Sequence, residues 1–503
     1  MNIALIQPPH NYDGGINCLP TFQIGLGILS IKDFLKKHGY NVRIFHLPWV
    51  FYEGITYEYA FQKIVEFDPG ICGIALNWLH FSEGAIETAK RLKTLLPNTI
   101  IVLGGQHASL FSEEIMQQHS DVIDVLLQGE AEMTMLAVVQ SVEETHQVKT
   151  NIPGLVYRDE DSIIRISQPE VVNSLDELPF FFIDDVWPEF TSKFIGLPQE
   201  FLSTLQGFRT RAALDTVRGV CPKNCSYCIA SHIGAVQGRS NLAAHSTQWL
   251  AEHIKLLVER GISSITVQDP FFTLGDAALT ELTQGILERG LNEKLLSFDI
   301  FVEPGAYSVE AMKYFSQVAA IVTIEFGVET GSPKVAKTMG RNDDFNAMLE
   351  NMIGARKAGL IPISWWMVNL PNEGSKEIEE TLDFISETMN EGIIPAQVSP
   401  MVLFPQTALA AFCDKFGIKK RLKTFEDFKR FSRCNYDDKS GARYPELLTH
   451  SSDIQSNEDT MNFHKQIQDQ FAKNWCRLEE RYQTQPTATV VQLLKQLTTF
   501  RFY

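Results

Sequence analysis

The sequence predicts an α/β protein with two parallel sheets and a mainly helical carboxyl-terminal region. Residues 1 to 145 alternate short apolar strands with amphipathic helices, and the alternation resumes near residue 205 with a longer period. Strand–helix alternation is typical of parallel sheets. We therefore predict four regions: a doubly wound open sheet at 1–145, a linker at 146–204, a partial (β/α)6 barrel at 205–403, and a helical region at 404–503.

The first region contains short apolar segments that predict buried strands. These segments are Ile3–Ile6, Ile71–Leu76, Thr99–Leu103 and Val122–Leu127. In a doubly wound sheet the ligand lies beyond the carboxyl ends of the strands. Two loops fall there, Gly104–Ser109 and Gln128–Glu132. Gly104 and Gly105 have no Cβ and would let a ligand approach the backbone closely.

The third region contains six strand–helix units, which is two fewer than a full eightfold barrel. Its strands are predicted at Ala212–Val217, Ile262–Val267, Phe298–Val302, Ile321–Phe326, Ile363–Val368 and Gln397–Val402. Ser246 is a candidate N-cap for the helix that follows it. Barrel enzymes carry their chemistry at the carboxyl ends of the strands. In the linker, 152–158 and 163–166 predict a hairpin.

The composition excludes several classes of protein. The chain has 503 residues, with 44 Lys and Arg against 61 Asp and Glu, a net charge of −17. This charge argues against nonspecific binding of nucleic acid. No apolar run approaches the roughly 20 residues of a membrane span. The first residues read as a strand rather than a secretory leader, so we expect a cytoplasmic protein.

Cys221, Cys225 and Cys228 form a C-x3-C-x2-C triplet. Three closely spaced thiolates can hold one iron–sulfur cluster and leave its fourth metal position without a protein ligand. Structural zinc normally takes four ligands, commonly from two separated pairs, and the chain has no second C-x2-C. A disulfide framework is disfavoured because eight cysteines in 503 residues are sparse.

With Arg218-Gly219 and Pro222 before it and Tyr227 inside it, the triplet resembles that of the radical S-adenosylmethionine (SAM) enzymes. Glu325–Ser332 resembles the E-x-G-x-E-S-G-S motif of one branch. The resemblance implies a [4Fe-4S] cluster on the three cysteines and a bound SAM. The SAM contacts that it implies are Tyr227, Gln268, Asp269, Glu303, Glu329 and Leu370.

The first region resembles the Rossmann-like cobalamin-binding domain that precedes the barrel in the cobalamin-dependent branch, the class B radical SAM methyltransferases. The cobalamin contacts that this implies are Pro9, Asn77, Leu79, Gly104, Gly105, Gln106, His107, Gly129 and Glu130. The D-x-H-x-x-G motif of a cobalt-ligating histidine is absent, because Pro8 replaces the aspartate before His10. We expect cobalamin without a histidine ligand from the protein; some relatives keep the domain without binding cobalamin.

The resemblance implies a methyltransferase that cleaves SAM reductively and methylates an unactivated carbon of a small molecule through methylcobalamin. It also implies a flavodoxin or ferredoxin as electron donor. No catalytic acid or base is predicted. One alternative is a cyclisation or rearrangement without methyl transfer, and a weaker one is a non-catalytic sensor. Phenylalanines in residues 404–503 predict either core or the wall of a substrate cavity.

Overall fold

The computed structural model describes residues 1–12, 24–52, 54–188, 211–231, 233–267, 272, 275–433 and 448–482. The chain forms two compact units. The first comprises Met1–Arg209, Ile233–Ala243 and Lys423–Asn435, and the second comprises Thr210–His232, Ala244–Leu422 and Tyr436–Tyr503. The first unit thus takes two segments from later in the chain. The boundaries at 145, 204 and 403 stay predictions.

The first unit contains an eight-stranded sheet. Its strands are β1 Asn2–Gln7, β2 Asn41–His46, β3 Ile71–Ala75, β4 Ile100–Gly104, β5 Val125–Leu127, β6 Leu155–Arg158, β7 Ile164–Ile166 and β8 Val186–Trp187, in the spatial order β7-β6-β5-β4-β3-β1-β2-β8. Strands β1 to β5 and β8 are parallel, and the predicted hairpin β6–β7 adds antiparallel to β5. The four predicted strands are confirmed. The strand order reverses at β1 and β3, where doubly wound sheets bind their ligands.

The helices of the first unit cover this sheet. They are Leu26–Lys37, Leu47–Tyr52, Tyr57–Phe67, Ser82–Leu95, Gln106–Leu110, Ser112–His119, Glu132–Thr145, Ile233–Gln237 and Phe425–Phe428, with 3₁₀ helices Leu79–Phe81, Leu175–Glu177 and Lys429–Arg433. The first helix buries Ile28 and Leu35 against the sheet, as their spacing predicts. The parallel strands are buried on both faces, as expected for a doubly wound fold.

From residue 211 the strands are β9 Arg211–Leu214, β10 Val217–Arg218, β11 Ala243–Ala244, β12 Ser264–Val267, β13 Ser297–Val302, β14 Ile321–Glu329, β15 Ile361–Val368, β16 Ile394–Pro400, β17 Ile418–Lys420 and β18 His450–Ser452. Six of them form a parallel sheet in the order β16-β15-β14-β13-β12-β9. Spatial order follows chain order throughout, which is the winding of a partial (β/α)6 barrel. The predicted barrel is confirmed.

The helices of the second unit are Thr247–Glu259, Gly275–Glu288, Val309–Phe315, Pro333–Thr338, Phe345–Lys357, Ser375–Asn390, Ala408–Ala411 and Asn457–Arg481, with 3₁₀ helices Ile229–Ser231, Leu291–Glu293 and Cys413–Phe416. The Ser246 hydroxyl accepts from the Trp249 amide at 3.1 Å, which confirms the predicted N-cap. Among the described residues, no helix combines the length and the apolar character that a membrane crossing needs.

Candidate functional site

The three cysteines lie on the loop between β10 and the 3₁₀ helix Ile229–Ser231. The loop closes on itself, because the Cys221 amide donates to the Ala230 carbonyl at 3.0 Å and the Cys228 amide to the Cys225 carbonyl at 3.2 Å. Cys221 and Cys228 pack against Val217 and Ala230. The local fold therefore brings the thiols of the triplet to one loop, each half-buried.

Burial raises the pKa of all three thiols to about 11, so the free side chains are neutral at pH 7. Thiolate ligands form when the metal displaces these protons. Within the described ranges, no three His, Cys, Asp or Glu side chains converge on a single metal ion. The ligands of an iron–sulfur cluster lie farther apart than those of a single metal ion, because each thiolate binds a different iron. A three-cysteine set on one closed loop fits a [4Fe-4S] cluster with one iron free of protein ligands.

The loop is held by neighbouring parts of the second unit. The Ser226 amide donates to the Met339 carbonyl at 2.9 Å, and the Leu409 amide donates to the Ser226 carbonyl at 2.8 Å. Gly340 has φ +80°, and a Cβ there would lie 3.1 Å from the Asn224 carbonyl oxygen. These contacts fix the backbone of the loop between its second and third cysteines.

Tyr227 connects the cluster loop to the carboxyl end of β14. Its hydroxyl donates to the Glu329 carboxylate, and Glu329 ends β14 with a left-handed φ of 70°. Burial raises the pKa of Glu329, while the nearby Arg341 charge and the Tyr227 hydrogen bond oppose that rise. Arg341 donates to Asp343 Oδ2 at 2.6 Å and to the Gly327 carbonyl at 2.9 Å. The predicted contacts Tyr227 and Glu329 therefore belong to one half-buried polar cluster.

The structure places the other predicted SAM contacts of the second unit as follows. Leu370 is fully buried in the apolar cluster against which Tyr227 packs, and its amide donates to Glu373 Oε2 at 3.1 Å. Glu303 pairs at 2.9 Å with Lys223 of the cluster loop. Gln268 and Asp269 lie outside the described residues. Arg341 lies nine residues beyond the Glu325–Ser332 motif, and the sequence did not single it out as a site residue.

The predicted cobalamin contacts lie at one edge of the first sheet. They follow the carboxyl ends of the adjacent strands β1, β3, β4 and β5: Pro9, Asn77, Leu79, Gly104, Gly105, Gln106, His107, Gly129 and Glu130. Gly105 has φ +115°, and a Cβ there would lie 2.5 Å from Asn77 Oδ1 and 2.7 Å from the Leu76 backbone. The glycine is therefore required by the protein's own loops as well as by its backbone angle.

Two histidines of this edge have buried ring nitrogens with no hydrogen-bond partner in the described part of the chain: His107 Nε2, and both nitrogens of His10. His107 is 2 % exposed, with Phe111 at 5.0 Å and Phe425 and Phe428 at 6.0 Å between ring centroids. Burial lowers the pKa of His107 to about 3 and that of His10 to about 4. Orphaned polar atoms are rare in protein interiors, so this edge fits a ligand with polar groups, as cobalamin has.

Glu130 is already engaged within the first unit. Arg239 donates to it through both Nε and a terminal nitrogen, the latter at 2.8 Å, and also to the Val172 carbonyl at 3.1 Å. Both side chains are 7 % exposed. Beside them, a Cβ on Gly129 would lie 2.5 Å from the Val236 carbonyl oxygen. The sequence did not single out Arg239, which lies in no recognised motif and 109 residues from its partner.

Comparisons with known protein families match one domain mainly in each of the two units. The Radical SAM superfamily model matches residues 217–385, and the B12 binding domain model matches residues 13–139. An uncharacterized methyltransferase of Pyrococcus horikoshii is 25 % identical over 333 residues, covering 66 % of this chain and 67 % of its own. The anaerobic magnesium-protoporphyrin IX monomethyl ester cyclase of Cereibacter sphaeroides is 23 % identical over 387 residues, covering 76 % of this chain but only 59 % of the cyclase.

The fold also matches a solved structure. The radical SAM methyltransferase TsrM from Kitasatospora setae superposes with a TM-score of 0.64 at 14 % identity, covering 84 % of this chain and 79 % of TsrM. The two domains that match in the present chain show that its own cofactors are a [4Fe-4S] cluster, SAM and cobalamin. With a radical SAM domain and a B12-binding domain in one chain, the protein belongs to the cobalamin-dependent radical SAM enzymes.

Proposed function

We propose that this enzyme methylates an unactivated carbon of a small-molecule substrate. The observation that supports this most is the link from the cysteine loop through Tyr227 to Glu329 at the end of β14, in a chain that also carries a B12-type domain. When bound, the cluster and SAM supply the 5′-deoxyadenosyl radical, and methylcobalamin supplies the methyl group.

The residues of the second unit would bind and orient rather than exchange protons. Cys221, Cys225 and Cys228 would hold the cluster, and the backbone contacts of Ser226 fix their loop. The Tyr227–Glu329 contact would set the loop against the strand end where SAM is expected. The burial around this contact would keep water from a reactive radical.

The experiment uses anaerobically reconstituted protein, methyl-labelled SAM and a panel of candidate small molecules. Label should appear in a product together with 5′-deoxyadenosine, and the Cys225→Ala variant should form neither. Formation of 5′-deoxyadenosine with an unlabelled, altered product would reject methyl transfer.

A second candidate is a cyclisation or rearrangement without methyl transfer. The relative from Cereibacter sphaeroides, which is named a cyclase, favours it. Product mass decides between the two, because methylation adds one carbon and two hydrogens whereas neither a cyclisation nor a rearrangement adds a carbon.

We also propose that a flavodoxin or ferredoxin supplies the electron, because reductive SAM cleavage needs a one-electron donor of low potential. A reduced flavodoxin should support 5′-deoxyadenosine formation by the reconstituted protein. If a chemical reductant supports it and several reduced flavodoxins and ferredoxins do not, this part of the proposal fails.

A further inference from the structure

The six-stranded sheet of the second unit has two unlike faces. On one face the side chains are fully buried under helices: Phe298 packs on Phe315 at 5.3 Å, and Trp366 on Phe384 at 6.1 Å. Alternate residues of a strand point to opposite faces. The other face, here called the inner face, carries Asp299, Phe301, Glu325, Glu329 and Trp365, all only half-buried. Partial exposure in the middle of a sheet indicates a surface that a ligand can reach.

The amino-terminal end of the inner face is closed by a satisfied polar cluster. Arg211 donates to Asp299 Oδ2 at 2.8 Å and to Thr266 Oγ1 at 2.6 Å. Thr266 and Thr323 also donate to Asp299. The charge of Arg211 is therefore matched by Asp299.

Glu325 lies above this cluster, and its one hydrogen bond in the described chain comes from Trp365 Nε1 to Oε2 at 2.7 Å. None of the described Lys, Arg or His side chains forms an ion pair with it. Phe301 is its register partner on β13, and the tip of the Phe301 ring lies 3.3 Å from where a Cβ on Gly327 would be. Glu325 thus sits between aromatic side chains of its two neighbouring strands.

The pKa of Glu325 is that of a carboxyl group with no cation paired to it. Burial and the nearby Asp299 charge raise the pKa of Glu325 to about 7, and Trp365 and Arg211 only partly oppose this rise. A purely structural acid at this depth would be expected to be fully buried and paired. A carboxylate flanked by aromatic rings is instead suited to a cationic nitrogen, which can pair with the charge and contact the ring faces.

We propose that Glu325, with Phe301 and Trp365, binds a cationic nitrogen group of the substrate, such as an ammonium or a guanidinium. This inference rests on the proposed function, because it places the substrate on the inner face of the barrel. Glu325 and Glu329 are four residues apart on one strand, a backbone span of about 13 Å. The Glu329 carboxylate reaches back over Gly327, so the nitrogen group would bind on the same face, nearer the amino-terminal end of β14.

The test measures binding without turnover. Reconstituted enzyme is titrated with n-butylamine, agmatine and n-butanol at pH 7, by calorimetry in two buffers of different ionisation enthalpy. The amines should bind at least about tenfold more tightly than the alcohol. They should release about half a proton per site, because a bound cation favours the carboxylate of a group whose pKa lies near 7. Glu325→Gln should lose the amine preference and the proton release.

The matched control is Glu379→Gln, the same change at an exposed position of the helix Ser375–Asn390, which should bind as the wild type does. If Glu325→Gln does not fold by circular dichroism, the wild-type data decide. Equal affinity for amine and alcohol, or amine binding without proton release, overturns the proposal. Amine binding that survives in folded Glu325→Gln also overturns it. The proposed function is tested separately, by 5′-deoxyadenosine formation and label transfer in the wild type.

Discussion

Replacing Arg239 by methionine should destabilise the first unit strongly. The substitution keeps a long apolar stem but removes the guanidinium that donates twice to Glu130. Glu130 would then be a carboxylate with a 7 % exposed side chain that has lost the charge of Arg239. A buried charge that has lost its partner is poorly solvated, and the pair's attraction no longer offsets that loss.

The expected size follows from this burial. Breaking a buried ion pair by removing one partner costs about 3–5 kcal/mol. For a unit of 150–250 residues, each kcal/mol lowers the midpoint of thermal unfolding by about 2–4 °C. The shift should therefore be about 6–20 °C. Glu130→Gln combined with Arg239→Met should recover much of this loss, because the double variant removes both charges of the pair.

The assay is thermal unfolding of the wild type, both single variants and the double variant, followed by circular dichroism. Arg165→Met is the matched control, because Arg165 pairs with Asp159 at the surface of the same unit; it should give no measurable shift. Corrinoid absorbance per protein, measured below the unfolding range, separates loss of fold from loss of cofactor. A shift below 2 °C for Arg239→Met, or a double variant as unstable as the sum of the singles, would refute the reasoning.

Three further predictions concern the two units. Tyr227→Phe removes the hydroxyl that donates a hydrogen bond to Glu329. It should weaken SAM binding, measured by equilibrium dialysis, about tenfold while the iron content stays the same. Unchanged SAM affinity contradicts this prediction. Gly105→Ala should lower the amount of cobalamin that the protein retains, measured as corrinoid absorbance, because the new Cβ would lie 2.5 Å from Asn77 Oδ1 at a backbone φ of +115°. Gly27→Ala is the control, because a Cβ there would have no atom within 4 Å. Equal retention in both variants refutes the prediction. Burial raises the pKa of Glu373 from 4.5 to about 8 in the folded protein. As the pH rises, this carboxyl group ionises in the unfolded chain before it ionises in the folded one, so the stability of the wild type should fall between about pH 4.5 and pH 8. Urea unfolding of Glu373→Gln should lack this part of the slope; an identical slope in both proteins argues against it.

The strand positions were predictable because buried parallel strands are short apolar runs that stand out from amphipathic helices. All four strands predicted in the first unit, and the six of the barrel, are confirmed within a few residues at their ends. The strand β2, Asn41–His46, was missed, although its burial alternates at its start. The edge strand β8, Val186–Trp187, was also missed, because two residues carry no periodicity.

That the predicted contacts would gather at the carboxyl ends of the strands was predictable for the same reason, since parallel strands put the residues that follow them side by side; their roles in binding cofactors stay predictions. What sequence could not supply is which of those residues satisfy one another. Tyr227 and Glu329 are 102 residues apart, Glu130 and Arg239 are 109 apart, and His107 meets Phe425 across more than 300 residues. The local pattern of apolar residues that predicts helices and strands carries no information on pairs so far apart in the sequence.

This limit changes how an acidic residue in a motif should be interpreted. Gly129-Glu130 and Glu325–Glu329 both place carboxylates near predicted ligand edges, and the sequence treats them alike. In the fold, Glu130 is neutralised by Arg239, whereas Glu325 has an indole donor and no described counter-ion. A carboxylate whose charge is already matched has little left to offer a ligand, and one whose charge is unmatched is stabilised by binding a cation. The side chains most able to choose a substrate are therefore those that the fold leaves incompletely paired.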